Sequence, residues 1–147
     1  MKLSTTSHKK IENFFREHFK DDEINLPNFH IHCGKWARRF TKLLKIHGIT
    51  LGNHVIISPD FVRRDERGKL VGDFSLIVHE ATHVLQYKNE GFFGFLWNYL
   101  KAWFAHLKQQ KKRDIVSRQN AYYAIPHEEE ARAAAANYTN WREENKI

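Results

Sequence analysis

The sequence predicts one α+β domain over residues 1–147, with a small antiparallel sheet near the N-terminus followed by helices. Two short stretches mix apolar and turn-forming residues in the way that strands do. Four longer stretches repeat apolar residues at helical spacing, and a fifth is rich in alanine. With 41% hydrophobic and 14% aromatic residues, a chain of 147 residues suits one folded core and is short for two.

The first half of the chain contains two predicted helices, each followed by predicted strands. Residues 5–19 place their apolar side chains on one helical stripe after a Ser/Thr-rich start. The stretch EINLPNFHIHC alternates around its proline, which predicts short edge-type strands. Residues 35–47 again have apolar residues on one face. The stretch ITLGNHVIIS then predicts a strand pair that turns at Gly52 and Asn53.

The second half is predicted to be mainly helical. Residues 62–72 are polar and end in glycine, so we expect a loop there. A helix over about 73–89 follows, with Asp73 as its N-cap and Gly91 as its stop. A strongly aromatic helix then covers about 92–110.

The last predicted helix begins at Pro126, because proline suits the first position of a helix. Its first turn holds three acidic residues, where the positive end of the helix dipole favours them. These residues are Glu128, Glu129 and Glu130. The helix is expected to run through the alanines to about Trp141.

The stretch SLIVHEATHVLQ, residues 75–86, has the spacing of a metal-binding helix. Residues four apart lie above one another on a helix, so His79 and His83 can direct two imidazole nitrogens at one point. Zinc is well suited to such ligands. Glu80 is rotated by about 100° from His79, which places it to take a proton from a water instead. The alternative is two partly exposed histidines on the edge of a packed helix.

A catalytic zinc site needs a third protein ligand and one open position. The metzincin pattern would require glycine at position 86 and histidine at position 89. The chain has Gln86 and Asn89, which excludes that family. The stretch PHEEEARAAA is the best remaining source, and Glu128, Glu129 and Glu130 are all candidates. The alternative is that these glutamates only stabilise the start of their helix.

Charge and cysteine content exclude several classes of protein. There are 24 Lys and Arg residues against 17 Asp and Glu, for a formal net charge of +7. The basic residues are dispersed except at Lys111, Lys112 and Arg113, so a solvated surface explains them better than a nucleic-acid site. Cys33 is the only cysteine, which excludes a disulfide within the chain and a thiolate zinc site.

Localisation is predicted from what the N-terminus and the hydropathy pattern lack. The first 20 residues have scattered charges where a Sec signal needs a continuous apolar core. No apolar run reaches 18 residues. We therefore expect a cytoplasmic protein, with export by a signal-less secretion or injection route left open.

Two weaker patterns leave several interpretations open. The helix at 92–107 has a very wide apolar face, which suits core packing, a cleft wall, a dimer patch or peripheral contact with a membrane. The basic residues that would lie near lipid headgroups are Lys101, Lys108 and Lys111. In HIHC, His30 and His32 share one strand face, but the local sequence offers no further ligand for a second metal.

Taken together, these segments resemble the gluzincins, in which HExxH lies on one helix and a glutamate on a later one. More narrowly, residues 28–138 resemble small bacterial metallopeptidase domains, some of them associated with contractile injection systems. The segments that carry the resemblance are GITLGNHVIISPDF, LIVHEATHVLQYKNEGFFGFLWNYL and NAYYAIPHEEEARAAA. The resemblance implies a helical zincin-like subdomain after the sheet, with its active-site helix at about 73–89.

The resemblance also implies roles for individual residues. His79 and His83 would bind Zn²⁺ with Glu128 as the third ligand, and Glu80 would be the general base for a metal-activated water. Gluzincins bind an extended peptide along a sheet edge, which would here be HVIIS at 54–58. Many gluzincins have an aspartate four residues after the third ligand, where this chain has Arg132. The group that orients the ligand histidine must therefore differ.

The sequence leaves alternatives open for two points, which are the residue that donates to the oxyanion and the function of the protein. Tyr122 and Tyr123 precede the third-ligand helix, and either phenol is a candidate donor, although aromatic packing explains each equally well. The favoured function is a zinc metalloendopeptidase with a peptide or protein substrate. The alternative is a catalytically silent, zinc-stabilised interaction or delivered-effector module. Nucleic-acid binding is not favoured, and the sequence predicts no oligomeric state.

Overall fold

The computed structural model describes residues 2–66, 70–110 and 114–145, and these form an α+β fold as predicted. The helices are α1 (Thr5–Phe19), α2 (Lys35–Leu44), α3 (Phe74–Glu90), α4 (Phe92–Gln109), α5 (Ile115–Tyr123) and α6 (Pro126–Glu144). The strands are β1 (His30–His32), β2 (Gly48–Leu51), β3 (His54–Ile57), β4 (Val62–Arg64) and β5 (Leu70–Gly72). Over the described ranges, no helix combines the length and the apolar character that crossing a membrane requires.

The main sheet has three strands in the order β1-β3-β2, and it is mixed where an antiparallel sheet was predicted. Strand β2 pairs antiparallel with β3, which confirms the strand pair that turns at Gly52 and Asn53. Strand β1 pairs parallel with β3, with Ile31 opposite Val55. A parallel pair needs a crossover, and helix α2 provides it. The prediction that HVIIS forms the edge was wrong, because β3 is central and the two edge strands are β1 and β2.

Two further sequence-based expectations were wrong. Residues 62–72 were expected to be a loop, but β4 and β5 pair antiparallel, with Val62 opposite Gly72. Arg63 and its neighbour are exposed, so these strands lack the apolar alternation that marks a strand in sequence. In EINLPNFHIHC only β1 is a strand. Helix α5 was not predicted, because its buried residues are the small Ser117 and Ala121 and it has no apolar stripe.

The core lies between α1, α3, α6 and the inner face of the sheet. Helix α1 packs against the second half of α6, where the ring of Phe14 meets the ring of Tyr138 edge-on at 5.1 Å between centroids. Trp141 Nε1 also donates to Glu17 Oε2 at 2.6 Å. The largest fully buried apolar side chains are Phe14, Phe15, Ile11, Leu26, Ile31, Ile57, Ile125, Val55, Val78 and Val84. Helix α6 also packs directly against α3.

Helices α3 and α4 are joined by one residue. The predicted cap is confirmed at the start of α3, where the Asp73 side chain accepts from the Ser75 backbone N–H at 2.9 Å. Gly91 ends α3 and begins α4 with φ 74° and ψ 161°. Residues with a side chain hardly ever adopt that region of backbone space. The turn between the two helices therefore depends on glycine.

Candidate metal centre

The structure brings His79, His83 and Glu128 together between α3 and α6. Glu128 Oε2 lies 3.2 Å from His79 Nε2, and Glu128 Oε1 lies 3.3 Å from His83 Nε2. One ligand atom from each residue lies within 4.8 Å of the other two, and no other such group occurs in the described ranges. Glu128 is buried, whereas Glu129 and Glu130 are exposed. The phase of α6 thus selects Glu128 among the three candidate glutamates.

The separations and charges of this cluster suit a divalent metal ion. Two ligands on a tetrahedral zinc, each bonded at about 2.05 Å, lie about 3.3 Å apart. The separations of His79 Nε2 from Glu128 Oε2 and of His83 Nε2 from Glu128 Oε1 are close to that value. Burial alone would raise the pKa of Glu128, but hydrogen bonds from His79, His83 and Tyr99 outweigh it and hold that pKa far below its usual range. The carboxylate is therefore ionised, as a metal ligand must be.

Gln86 fixes the orientation of His83. The Gln86 amide nitrogen donates to Glu130 Oε2 at 2.6 Å and to the His127 carbonyl at 3.1 Å. Its amide oxygen is therefore the acceptor that faces His83 Nδ1 at 2.8 Å. In the cationic ring both nitrogens carry a proton, and Nε2 donates to Glu128; in the neutral ring the proton stays on Nδ1, and the lone pair of Nε2 is available to a metal.

Gln86 thus occupies the orienting role that the sequence could not assign. Arg132 stands where an aspartate would be expected, but it lies elsewhere: its guanidinium donates to the Tyr123 carbonyl and stacks on the Tyr123 ring. Gln86 is three residues after His83 and reaches α6 only through the fold. Its position in the sequence carried no sign of this contact.

Glu80 lies beside the three ligands without joining them. Its side chain is buried, and Thr50 Oγ1 on β2 donates to Glu80 Oε2 at 2.7 Å. Burial raises the pKa of Glu80, and the nearby His83 and His79 oppose that effect. A β-carbon added at Gly48 would lie 2.5 Å from Glu80 Oε1, so the absence of a side chain at Gly48 makes room for the carboxylate.

Two tyrosines donate to the carboxylate of Glu128. Tyr122 contacts Oε2 at 2.8 Å, and Tyr99 on α4 contacts Oε1 at 2.7 Å. Burial and the charge of Glu128 raise the pKa of both phenols above the usual value, so both remain donors at neutral pH. Tyr123 points away from the cluster, against Arg132. Tyr99 was missed because it lies in a helix where every aromatic residue resembles a packing residue.

An apolar cleft of about 210 Å³ opens beside the cluster. One wall is β2, from Gly48 to Leu51, and the opposite wall is α4 with Phe95 and Tyr99. The cluster lies between the walls, together with Glu80. The edge strand, the buried carboxylate and the candidate metal ligands therefore share one cleft.

The HIHC histidines lie elsewhere, on the outer face of the sheet. The structure supplies a neighbour that the local sequence lacked, since His32 Nε2 lies 3.1 Å from His54 Nδ1 and the His30 ring stacks on that of His54. These three histidines are not among the described ligand groups that lie within 4.8 Å of one another. A second metal centre at HIHC therefore has no support from the geometry.

The chain matches the model of a known family. The model of the eCIS core domain, where eCIS denotes an extracellular contractile injection system, matches residues 3–91. This is more than half of the chain, and it includes α1, the sheet and the helix with His79, Glu80 and His83. It begins and ends earlier than the resemblance over 28–138, so Glu128 lies beyond it. No curated protein and no solved structure gives a significant match.

Proposed function

This chain belongs to the eCIS core domain family, and we propose that it is a zinc-dependent peptidase. The observation that carries the proposal is the cluster of His79, His83 and Glu128, with Glu80 buried beside it and outside the ligand set. Two imidazoles and one carboxylate form a donor set that zinc favours. In this proposal His79, His83 and Glu128 would hold the ion, and all three residues line the cleft.

Glu80 has the surroundings of a general base. A bound zinc ion supplies Lewis acidity, which makes a water more acidic and polarises a carbonyl. Glu80 then accepts a proton from the attacking water and passes it to the leaving amine. Thr50 holds one oxygen of Glu80, and the other lies against Gly48. A carboxylate with a raised pKa suits both proton transfers, since it binds a proton more readily than an exposed glutamate.

Tyr122 and Tyr99 have different roles in this proposal. Tyr122 is 38% exposed and lines the cleft, so its hydroxyl is the candidate donor to the oxyanion that forms from the peptide carbonyl. Tyr99 is less exposed and positions Glu128. Tyr123 was an equal candidate in the sequence, but its place against Arg132 gives it no part in this proposal.

Strand β2 is the edge on which a peptide substrate would lie. Its pairing within the described strands is with β3 alone, which leaves the opposite backbone edge facing the cleft. An extended peptide can add to such an edge through main-chain hydrogen bonds. This arrangement would carry the scissile bond past Glu80, because Thr50 of β2 contacts that residue directly. The proposed substrate is therefore an extended peptide segment.

The test is Glu80→Gln, with metal content and peptide cleavage measured on the same preparations. Elemental analysis should find about one zinc per chain in both proteins, because Glu80 is outside the ligand set. Cleavage of a mixed peptide library, followed by mass spectrometry, should fall about 10²- to 10⁴-fold. Glu129→Gln is the matched control, since Glu129 is exposed on α6, and it should behave like the unaltered protein.

Two results would contradict the proposal. Unchanged cleavage by Glu80→Gln would show that Glu80 is not the general base. A protein that holds zinc through His83 but cleaves no peptide in the library would support the silent interaction module instead. In that case His83→Ala would lower thermal stability and zinc content without any change in hydrolysis.

A further inference from the structure

The outward face of α4 carries a stripe of large exposed apolar residues. The α4 stripe consists of Phe93, Trp97, Leu100 and Phe104. Successive members are four, three and four residues apart, so they share one helix face. Phe93 is 83% exposed and Trp97 is 71% exposed. Contiguous apolar surface of this kind marks an interaction site on a soluble domain.

The opposite face of α4 is already fully used by the fold. Phe95 is buried, with its ring centroid 3.9 Å from that of Tyr87 on α3. Tyr99 reaches inward to Glu128. The α4 stripe can therefore be covered by a partner without any rearrangement of the helix.

The charge around the stripe indicates the kind of partner. Helix α4 contains no acidic residue, and Lys101 and Lys108 are exposed on the side of the stripe. The carboxylate just before the helix, Glu90, is engaged by His127 at 2.7 Å and by Asn98 at 2.8 Å. A second copy of the chain would bring the same lysines face to face, at a net charge of +7 each. An anionic surface removes that repulsion and attracts the lysines.

We propose that the α4 stripe docks on the surface of an anionic phospholipid bilayer, with α4 lying in the plane of the interface. Aromatic rings enter the boundary between headgroups and acyl chains, and lysines beside them reach the phosphates. The helix does not qualify as a membrane span, which fits a position on the surface. The stripe lies beyond residues 3–91, so the proposal concerns this chain and not its family. It does not depend on the metal centre.

The test is flotation of the full chain with vesicles of two compositions. One contains phosphatidylcholine alone, and the other contains phosphatidylcholine with phosphatidylglycerol. Binding should be about tenfold or more stronger to the anionic vesicles, and it should weaken when NaCl is raised well above about 0.1 M. The double variant Phe93→Ser with Trp97→Ser should lose about tenfold or more of its partitioning, because two large side chains no longer leave water.

A matched control removes equally exposed apolar residues from a different surface. Trp36 is 61% exposed and Leu43 is 80% exposed, both on α2. Trp36→Ser with Leu43→Ser should bind vesicles as the unaltered chain does. A third variant, Lys101→Glu with Lys108→Glu, leaves the apolar stripe intact and should lower only the binding to anionic vesicles.

Four outcomes would overturn the proposal. Equal binding to both vesicle types would show that charge has no part in recognition. If the Phe93 and Trp97 variant bound as well as the unaltered chain, or if the unaltered chain did not bind, the α4 stripe would not be a membrane-binding surface. Sedimentation that shows a dimer, converted to a monomer by that variant, would make a second copy the occupant. Zinc content and peptide cleavage are measured separately, so failure here is distinct from failure of the peptidase proposal.

Discussion

Replacing Gly48 with alanine should displace Glu80 and lower peptidase activity while the metal is retained. The added β-carbon would lie 2.5 Å from Glu80 Oε1 and 3.0 Å from the Glu80 carboxyl carbon. The Glu80 side chain is buried and held by Thr50, so it has little room to move away. The three atoms nearest to the new methyl group all belong to Glu80, and none belongs to a candidate metal ligand.

The size of the effect follows from these distances. Ordinary contact between such atoms begins at 3.4 Å, so the carboxylate must move by about 0.9 Å. A shift of that size, directed away from Thr50, would stretch the 2.7 Å hydrogen bond beyond hydrogen-bonding distance. Misplacing a reacting group by about 1 Å costs about 10²-fold in rate. We therefore expect kcat to fall by about 10²-fold in Gly48→Ala.

The assay is steady-state hydrolysis of one peptide chosen from the library, with zinc measured in the same samples. Gly34→Ala is the matched control, because a β-carbon there meets no atom within 4 Å. The control should keep full activity, and both proteins should hold the same amount of zinc. If Gly48→Ala kept the kcat of the unaltered chain, the inference that Gly48 positions a catalytic Glu80 would be refuted.

Three further predictions concern the same centre. Gln86→Leu should weaken zinc binding by about 10- to 100-fold in a chelator competition, because His83 loses the acceptor that orients it. Tyr122→Phe should lower kcat at saturating zinc by about 10²-fold if its hydroxyl supports the oxyanion, and it should also weaken zinc binding because it removes a hydrogen bond to Glu128; an equal loss of kcat in a Tyr123→Phe control would contradict that assignment. In the metal-free protein, burial lowers the pKa of His83, but its contacts with Glu128 outweigh this effect, so the pKa lies above 6.5. The charged His83 ring therefore stabilises the folded state at low pH, and this stabilisation is lost as the pH rises through the raised pKa. The melting temperature without metal should therefore be lower at pH 8 than at pH 6, whereas stabilisation by added zinc should grow with pH, because the metal binds neutral imidazole; melting curves with and without a chelator test both.

Those parts of the fold that carry local signals were predicted from the sequence. The bounds of α1 agree with the prediction, and those of α3 and α4 agree to within a residue, because apolar periodicity, the Asp73 cap and Gly91 are all local features. Helix α2 ends at Leu44, earlier than expected, since Lys45 takes a left-handed φ of 55°. The parallel pairing of β1 with β3 depends on residues far apart in the chain, and no local pattern encodes it.

Some residues of the candidate site could likewise be predicted from the sequence. His79, Glu80 and His83 lie on one helix, so their spacing alone indicated a metal site. Glu128 was indicated by the need for a third ligand and by resemblance, and the phase of α6 then distinguished it from its neighbours.

The supporting residues of the site could not be predicted from the sequence. Thr50 is 30 residues from Glu80, and Tyr99 is 29 residues from Glu128. Such contacts exist only once the sheet and the helices have packed. The same holds for the edge strand, because the order of strands in the sheet decides which one faces the cleft.

Gly91 lies outside the cleft, but its backbone conformation determines how wide the cleft is. It is the only residue between the helix with both histidines and the helix with Tyr99, and no atom would obstruct a side chain there. The barrier to substitution is therefore backbone stereochemistry alone. A residue outside the candidate metal centre and the lining of the cleft thus sets the angle between the two helices, and with it the separation of α4 from β2.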